Sequence, residues 1–148
     1  MLSVPDVVAT VKRNTSDVVI GMTDAEIDRV RSLWKIRVIP DRYGQFLSLM
    51  GRGGGRILRG TDAFFPKILD MRRAADDFFS DNPGGVGLPQ GAVVFAMHQG
   101  YQVYWMEDVS LHDPPVSLYM EGDAAPMYRW NSFTGFLNSE LENAYPDL

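Results

Sequence analysis

The sequence predicts a fold in which helices and strands are segregated along the chain. Three observations carry this: apolar residues at three- and four-residue spacing before residue 80, a run of turn residues at Asp81-Asn-Pro-Gly-Gly-Val-Gly-Leu-Pro, and short aromatic-rich alternating segments after Val93. The last third, Val93 to Leu137, is the most informative stretch. It combines strand segments, tight turns and a closing amphipathic helix, and it contains no recognisable catalytic apparatus.

Taken in order, Val4 to Lys12 predicts a short first helix, followed by a polar connection through Asn14-Thr-Ser-Asp. Thr23-Asp-Ala-Glu26 has the form of a capping box, so a helix is expected from about Asp24 to Trp34, with Ile27, Val30, Leu33 and Trp34 on one stripe. A further helix starts near Pro40 and stops at Gly51, with Tyr43, Phe46, Leu47 and Met50 as its buried face. After Gly51-Arg-Gly-Gly-Gly-Arg a short strand is expected at Ile57 to Arg59, and then a substantial helix over Pro66 to Phe79.

In the second half, Val93, Phe95 and Met97 alternate with Val94, Ala96 and His98. His98-Gln99-Gly100 reads as a turn into a return strand, with Tyr101, Val103 and Trp105 on one face and Gln102, Tyr104 and Met106 on the other. Glu107 to Asp113 forms a polar loop. Val116 to Met120 and Met127 to Trp130 are two more strands, and Ser132 caps a helix whose apolar face is Phe133, Phe136, Leu137 and Leu141.

The length of 148 residues suits one domain spanning residues 1–148, and 45% hydrophobic with 22% charged residues is an ordinary globular composition. No segment approaches the roughly 20 apolar residues of a membrane span, and the N-terminus lacks a secretory pattern. A cytoplasmic location is therefore expected. With no cysteine, disulfides, thiol catalysis and thiolate metal sites are excluded.

The net charge of −5 conceals an asymmetry. Residues 1–73 carry 13 of the 14 basic groups against 8 acids, whereas residues 74–148 carry Arg129 alone against 11 acids. An acidic face opposes nucleic acid and attracts basic proteins.

Several chemical readings were weighed on residue type and spacing. The glycine-rich run with Arg52, Arg56 and Arg59 resembles a phosphate cradle, but it follows a helix and lacks the Gly-Lys-Ser/Thr of a P-loop, so a helix stop and turn is favoured. His98 and His112, with Glu107, Asp108 and Asp113, contain ligand and acid/base types, yet no His-Glu-x-x-His spacing. No Gly-x-Ser-x-Gly elbow is present. Neither catalysis, a metal nor a cofactor is expected.

Tyr101, Tyr104, Trp105, Tyr119 and Trp130 are strand aromatics whose ordinary role is packing, although exposed aromatics beside an acidic rim make protein-binding anchors. The expected partner-binding residues are Tyr101, Gln102, Tyr104, Glu107, Asp108, Asp113, Glu121 and Asp123, with Trp105 equally suited to the core.

The order of the capped helix, Ile39-Pro-Asp-Arg-Tyr-Gly-Gln-Phe-Leu, the glycine-rich turn, Val94-Phe-Ala-Met-His-Gln-Gly-Tyr, Pro115-Val-Ser-Leu-Tyr and Trp130-Asn-Ser-Phe-Thr-Gly-Phe-Leu resembles the SMI1/KNR4 family of the SUKH superfamily over about residues 23–141. That resemblance implies an α+β fold with a mixed, predominantly antiparallel sheet packed with helices. It also implies a non-enzymatic binding protein: bacterial members are interpreted as immunity proteins that neutralise toxins, often nucleases, and fungal relatives as regulatory interaction proteins. The expected partner is a protein: a cognate toxin for an immunity protein, or a cellular protein for the alternative, a regulatory adaptor; neither nucleic acid nor membrane is expected.

Overall fold

The computed structural model describes all 148 residues. It is an α+β fold, and every strand pairing in it is antiparallel, including the two-stranded and the five-stranded sheet. The antiparallel character expected of the sheet therefore holds throughout.

The first helix, α1 (Val4–Arg13), begins where the Ser3 hydroxyl accepts from the Asp6 N–H, and its stripe Val4, Val7, Val8 and Val11 is buried. Helix α2 (Asp24–Trp34) has the predicted capping box closed in both directions: Thr23 Oγ1 accepts from the Glu26 N–H, and Glu26 Oε1 from the Thr23 N–H. Of its expected stripe Val30 and Trp34 are buried, while Leu33 is exposed. Helix α3 (Asp41–Met50) buries the four residues expected of it, Tyr43, Phe46, Leu47 and Met50.

A two-stranded ladder, β1 (Val19–Ile20) with β2 (Gly53–Gly54), ties the chain before α2 to the glycine-rich run after α3. The run is a packed strand as well as a helix stop. A Cβ on Gly54 would sit 2.6 Å from Met50 Cε and 2.9 Å from Phe64 Cζ, so any larger residue would have to push these two side chains aside.

The strand expected at Ile57 to Arg59 does not form. Ile57 N–H donates to Gly54 C=O, Arg59 N–H to Arg56 C=O and Thr61 N–H to Leu58 C=O, so successive turns consume the backbone groups a ladder would need. Ile57 and Leu58 are buried as an apolar plug, and the strand comes later, as β3 (Thr61–Asp62). The helix expected over Pro66 to Phe79 is divided in a related way. A 3-10 turn at Lys67–Asp70 precedes α4 (Met71–Asp81).

The five-stranded sheet has the order β3, β4 (Val93–His98), β5 (Gln102–Met106), β6 (Val116–Met120), β7 (Tyr128–Trp130). Gln99 and Gly100, with φ of +50° and +77°, make the two-residue turn between β4 and β5. A bulge between Val94 and Ala96 shifts the register, and Phe95 within it is fully buried. Helix α5 (Phe133–Ala144) starts at Ser132, whose hydroxyl accepts from the Gly135 N–H at 2.9 Å.

Helices cover the sheet on both sides. On one side Trp105 and Tyr119 lie against Phe79 and Phe78 of α4, with ring centroids 6.1 Å apart in both pairs. On the other, Phe95 meets Phe133 and Phe136 of α5 and Tyr43 of α3 at 5.3 to 5.8 Å. Trp105 is 1% exposed and belongs to the core. Burying aromatic and aliphatic side chains of this size contributes about 1.5–3 kcal/mol each, so these two layers carry much of the fold.

Candidate partner-binding surface

Strand β5 fixes where the eight expected binding residues lie. Its register pairs Gln102 with Met120 at one end and Met106 with Val116 at the other. Glu121 N–H donates to the Tyr101 carbonyl at 2.8 Å beyond the first end, and Glu107 N–H to the Pro115 carbonyl at 2.8 Å beyond the second. Six extended residues separate Tyr101 from Glu107, on the order of 20 Å. Tyr101, Gln102, Glu121 and Asp123 thus belong to one end, Glu107, Asp108 and Asp113 to the other, and Tyr104 lies between them.

The acids at the Glu107 end have partners within the protein. Glu107 Oε1 accepts from Ser117 Oγ at 2.8 Å and Arg129 Nε at 2.7 Å, while Oε2 accepts from Arg129 Nη2 at 3.1 Å. Partial burial pushes the Glu107 carboxyl upward, but the hydrogen bonds and charge of Arg129, with the Ser117 hydroxyl, outweigh it and leave the group below its ordinary range. Asp108 is exposed, and its Oδ1 accepts from the Ser110 hydroxyl and N–H, which hold its carboxyl below the usual range. Asp113 Oδ1 accepts from the Thr134 N–H at 2.9 Å in the first turn of α5, where a negative charge complements the helix dipole.

The Tyr101 end is arranged differently. Glu121 is exposed and its side chain makes no hydrogen bond or ion pair within the protein; neither does that of Asp123, whose carbonyl instead accepts from the Tyr119 hydroxyl at 2.6 Å. Tyr101 is 37% exposed, Met127 48% and Tyr128 56%; Tyr101 and Met127 lie toward this end, and the register sets Tyr128 level with Tyr104 at mid-strand. The Tyr128 ring lies 4.6 Å from Trp130, and Trp130 stacks on Tyr104 at 6.3 Å and 28°. Gln102 Nε2 is 3.7 Å from Met127 Sδ. Burial, aided by the nearby Glu140 and Tyr101, pushes the Tyr104 phenol up to about 12, so it remains an uncharged donor at neutral pH.

Met127 and Tyr128 were not singled out from the sequence. The one available signal was strand alternation: Tyr128 falls opposite Leu118, and Leu118 opposite Tyr104, so all three share a face. That β7 is an edge strand, which leaves Tyr128 uncovered, depends on the sheet order.

Ion pairing follows the charge asymmetry. Seven of the eight ion pairs join groups between Asp17 and Asp76, and Arg129 with Glu107 is the eighth. Seven of the thirteen basic residues of the helical half are therefore paired locally. Arg52, for instance, pairs with Glu26 and lies over the Phe65 ring at 4.3 Å.

The two histidines are not brought together. His98 Nδ1 is 2.9 Å from Thr61 Oγ1 at the Tyr101 end of β4, whereas His112 is exposed in the loop before Asp113, with its carbonyl accepting from the Arg42 N–H. No group of three His, Asp or Glu side chains converges in a way that could hold a metal ion. No helix is long and apolar enough to cross a membrane.

No curated protein matches the chain. The model of the SMI1 / KNR4 family (SUKH-1) matches residues 21–139, which run from the approach to α2 through β2 and the five-stranded sheet and into α5. With that stretch containing the capped helix, the glycine-rich strand, the five-stranded sheet and most of the closing helix, the chain belongs to the SMI1/KNR4 (SUKH-1) family.

Proposed function

We propose that this protein is a cytoplasmic, non-enzymatic immunity-type binding protein that neutralises a toxin by occluding a basic surface on it. The observation that carries the reading is an exposed apolar run, Tyr101, Met127 and Tyr128, extending from the Tyr101 end of the sheet to mid-strand, together with carboxylates at Glu121 and Asp123 that have no counter-ion in the protein. Exposed aromatics and methionine supply anchors that slow dissociation, and unpaired carboxylates steer a basic partner toward them. Family membership supports the same reading, since the family is consistent with immunity-protein-like domains.

Glu107 and Asp113 contribute less directly. Their carboxylates are held by Arg129, Ser117 and the α5 N-terminus, so binding through them would require giving up bonds already made. Asp108, exposed beside them, extends the negative field without that constraint.

The test is co-expression with toxins encoded beside the gene. The wild-type protein is expected to restore growth against one of them, and the E121K/D123K variant to fail while remaining folded. Tight binding of a cellular protein with no toxin neutralised would instead establish the regulatory adaptor. Restoration of growth by E121K/D123K at wild-type expression would remove this end of the sheet from the contact.

A further inference from the structure

A cleft of about 230 Å³ opens between β3, β4 and β5 on one side and the last turns of α5 on the other, and Arg56, Arg59, His98, Gln102, Tyr104 and Glu140 are among its lining residues. Of the three charged residues that line it, one is paired and two of opposite sign are not. Arg59 is paired with Asp17 at 2.9 Å. Arg56 has no carboxylate within ion-pair distance; its guanidinium carbon lies 5.5 Å from the centroid of the Tyr145 ring, and its N–H donates to the Tyr145 hydroxyl. Glu140 is half-buried and its carboxylate has neither an ion-pair nor a hydrogen-bond partner.

Arg56 and Glu140 line the same cleft without forming an ion pair, one from the turn before β3 and the other from α5. An anion meeting Arg56 alone would leave Glu140 uncompensated, and a cation on Glu140 alone would leave Arg56 so. The cleft is also smaller than the roughly 300–1,000 Å³ typical of drug-sized sites, which limits the occupant to a few heavy atoms of chain.

We propose that the cleft binds a small linear zwitterion of the ω-amino-acid or lysine type, with its carboxylate on Arg56 and its ammonium on Glu140 beside the Tyr104 ring. Tyr104, kept as a phenol by burial and by the nearby Glu140 charge, and Gln102 supply neutral hydrogen-bonding groups along the wall. Burial that raises the Glu140 carboxyl above its ordinary range is the cost that an incoming ammonium relieves. The site shares the neutral Gln102 and Tyr104 with the expected partner-binding residues, but the charges that define it, Arg56 and Glu140, are not among them.

The test is titration of the full chain, followed by calorimetry and by NMR of the Arg56 and Glu140 resonances, with ε-aminocaproate and its two amputated analogues, caproate and hexylamine. Binding of ε-aminocaproate is expected at least tenfold tighter than either analogue. Arg56→Gln and Glu140→Gln are each expected to reduce it to the analogue level, whereas Arg56→Lys retains it; circular dichroism confirms that the variants are folded. Free lysine and a short peptide ending in lysine distinguish a metabolite from a chain terminus, and tighter binding of either supports the zwitterion chemistry. Equal binding of caproate or hexylamine, no binding of ε-aminocaproate at millimolar concentration, or unchanged affinity in both charge-removing variants would overturn the proposal.

Discussion

The two ends of β5 present acids of the same kind put to different use. At the Glu107 end, carboxylates close a bidentate pair with Arg129, a loop turn at Ser110 and the first turn of α5. At the Tyr101 end, Glu121 and Asp123 make no such bonds, and the exposed side chains of Tyr101, Met127 and Tyr128 run from there to mid-strand. Acids with internal partners hold the fold, and acids without them are available to something else. Surface charge alone does not distinguish the two; the hydrogen bonds do.

Charge reversal would separate the ends most strongly. E121K/D123K is expected to weaken partner binding on the order of a hundredfold, since like charges facing a basic surface cost several kcal/mol, while leaving the melting temperature unchanged. Calorimetric binding and thermal melts of the same sample check both halves. Next in size, Tyr128→Ala is expected to weaken binding about tenfold, as truncation of an interface anchor typically costs more than 1 kcal/mol. A Tyr128→Ala protein with wild-type affinity would move the anchor elsewhere on this surface.

At the other end the effect should fall on stability. Asp113→Ala removes the acceptor of the Thr134 N–H and is expected to cost about 1 kcal/mol in denaturant unfolding, with partner affinity retained. The smallest expected effect is a pH dependence. Because the folded protein holds the Glu107 carboxyl below its unfolded range, this residue contributes stability that is present above that unfolded range and is lost as pH falls through the folded value. Glu140 has the opposite sign: burial raises its carboxyl, so its contribution is favourable at low pH and declines as pH rises. Glu107→Gln should therefore flatten the acid limb of the stability profile, and Glu140→Gln should slightly stabilise the protein at neutral pH.

Much of the fold was legible because its signals are local. The Thr23 and Glu26 box, the Tyr43, Phe46, Leu47 and Met50 stripe and the Gln99-Gly100 turn each lie within a few residues, and each formed as expected. Ile57 and Leu58 announced burial correctly but not backbone pairing, because an apolar pair reads alike in a strand and in a packed turn. Periodicity over Pro66 to Phe79 did not separate one 3-10 turn from the α-helix after it.

The candidate surface was legible in its residues but not in its arrangement. Glu107 and Arg129 are 22 residues apart and Asp113 and Thr134 are 21 apart, so which acids are already occupied is decided by the sheet and by the docking of α5. The meeting of Arg56 with Glu140 in one cleft has the same origin.

The division between the two ends is tested most directly by amide hydrogen exchange on the complex with the captured partner. New protection over Tyr101 and over Glu121 to Tyr128, with the Glu107 to Asp113 loop exchanging as in the free protein, is the predicted result. Protection confined to Glu107 to Asp113 would contradict it.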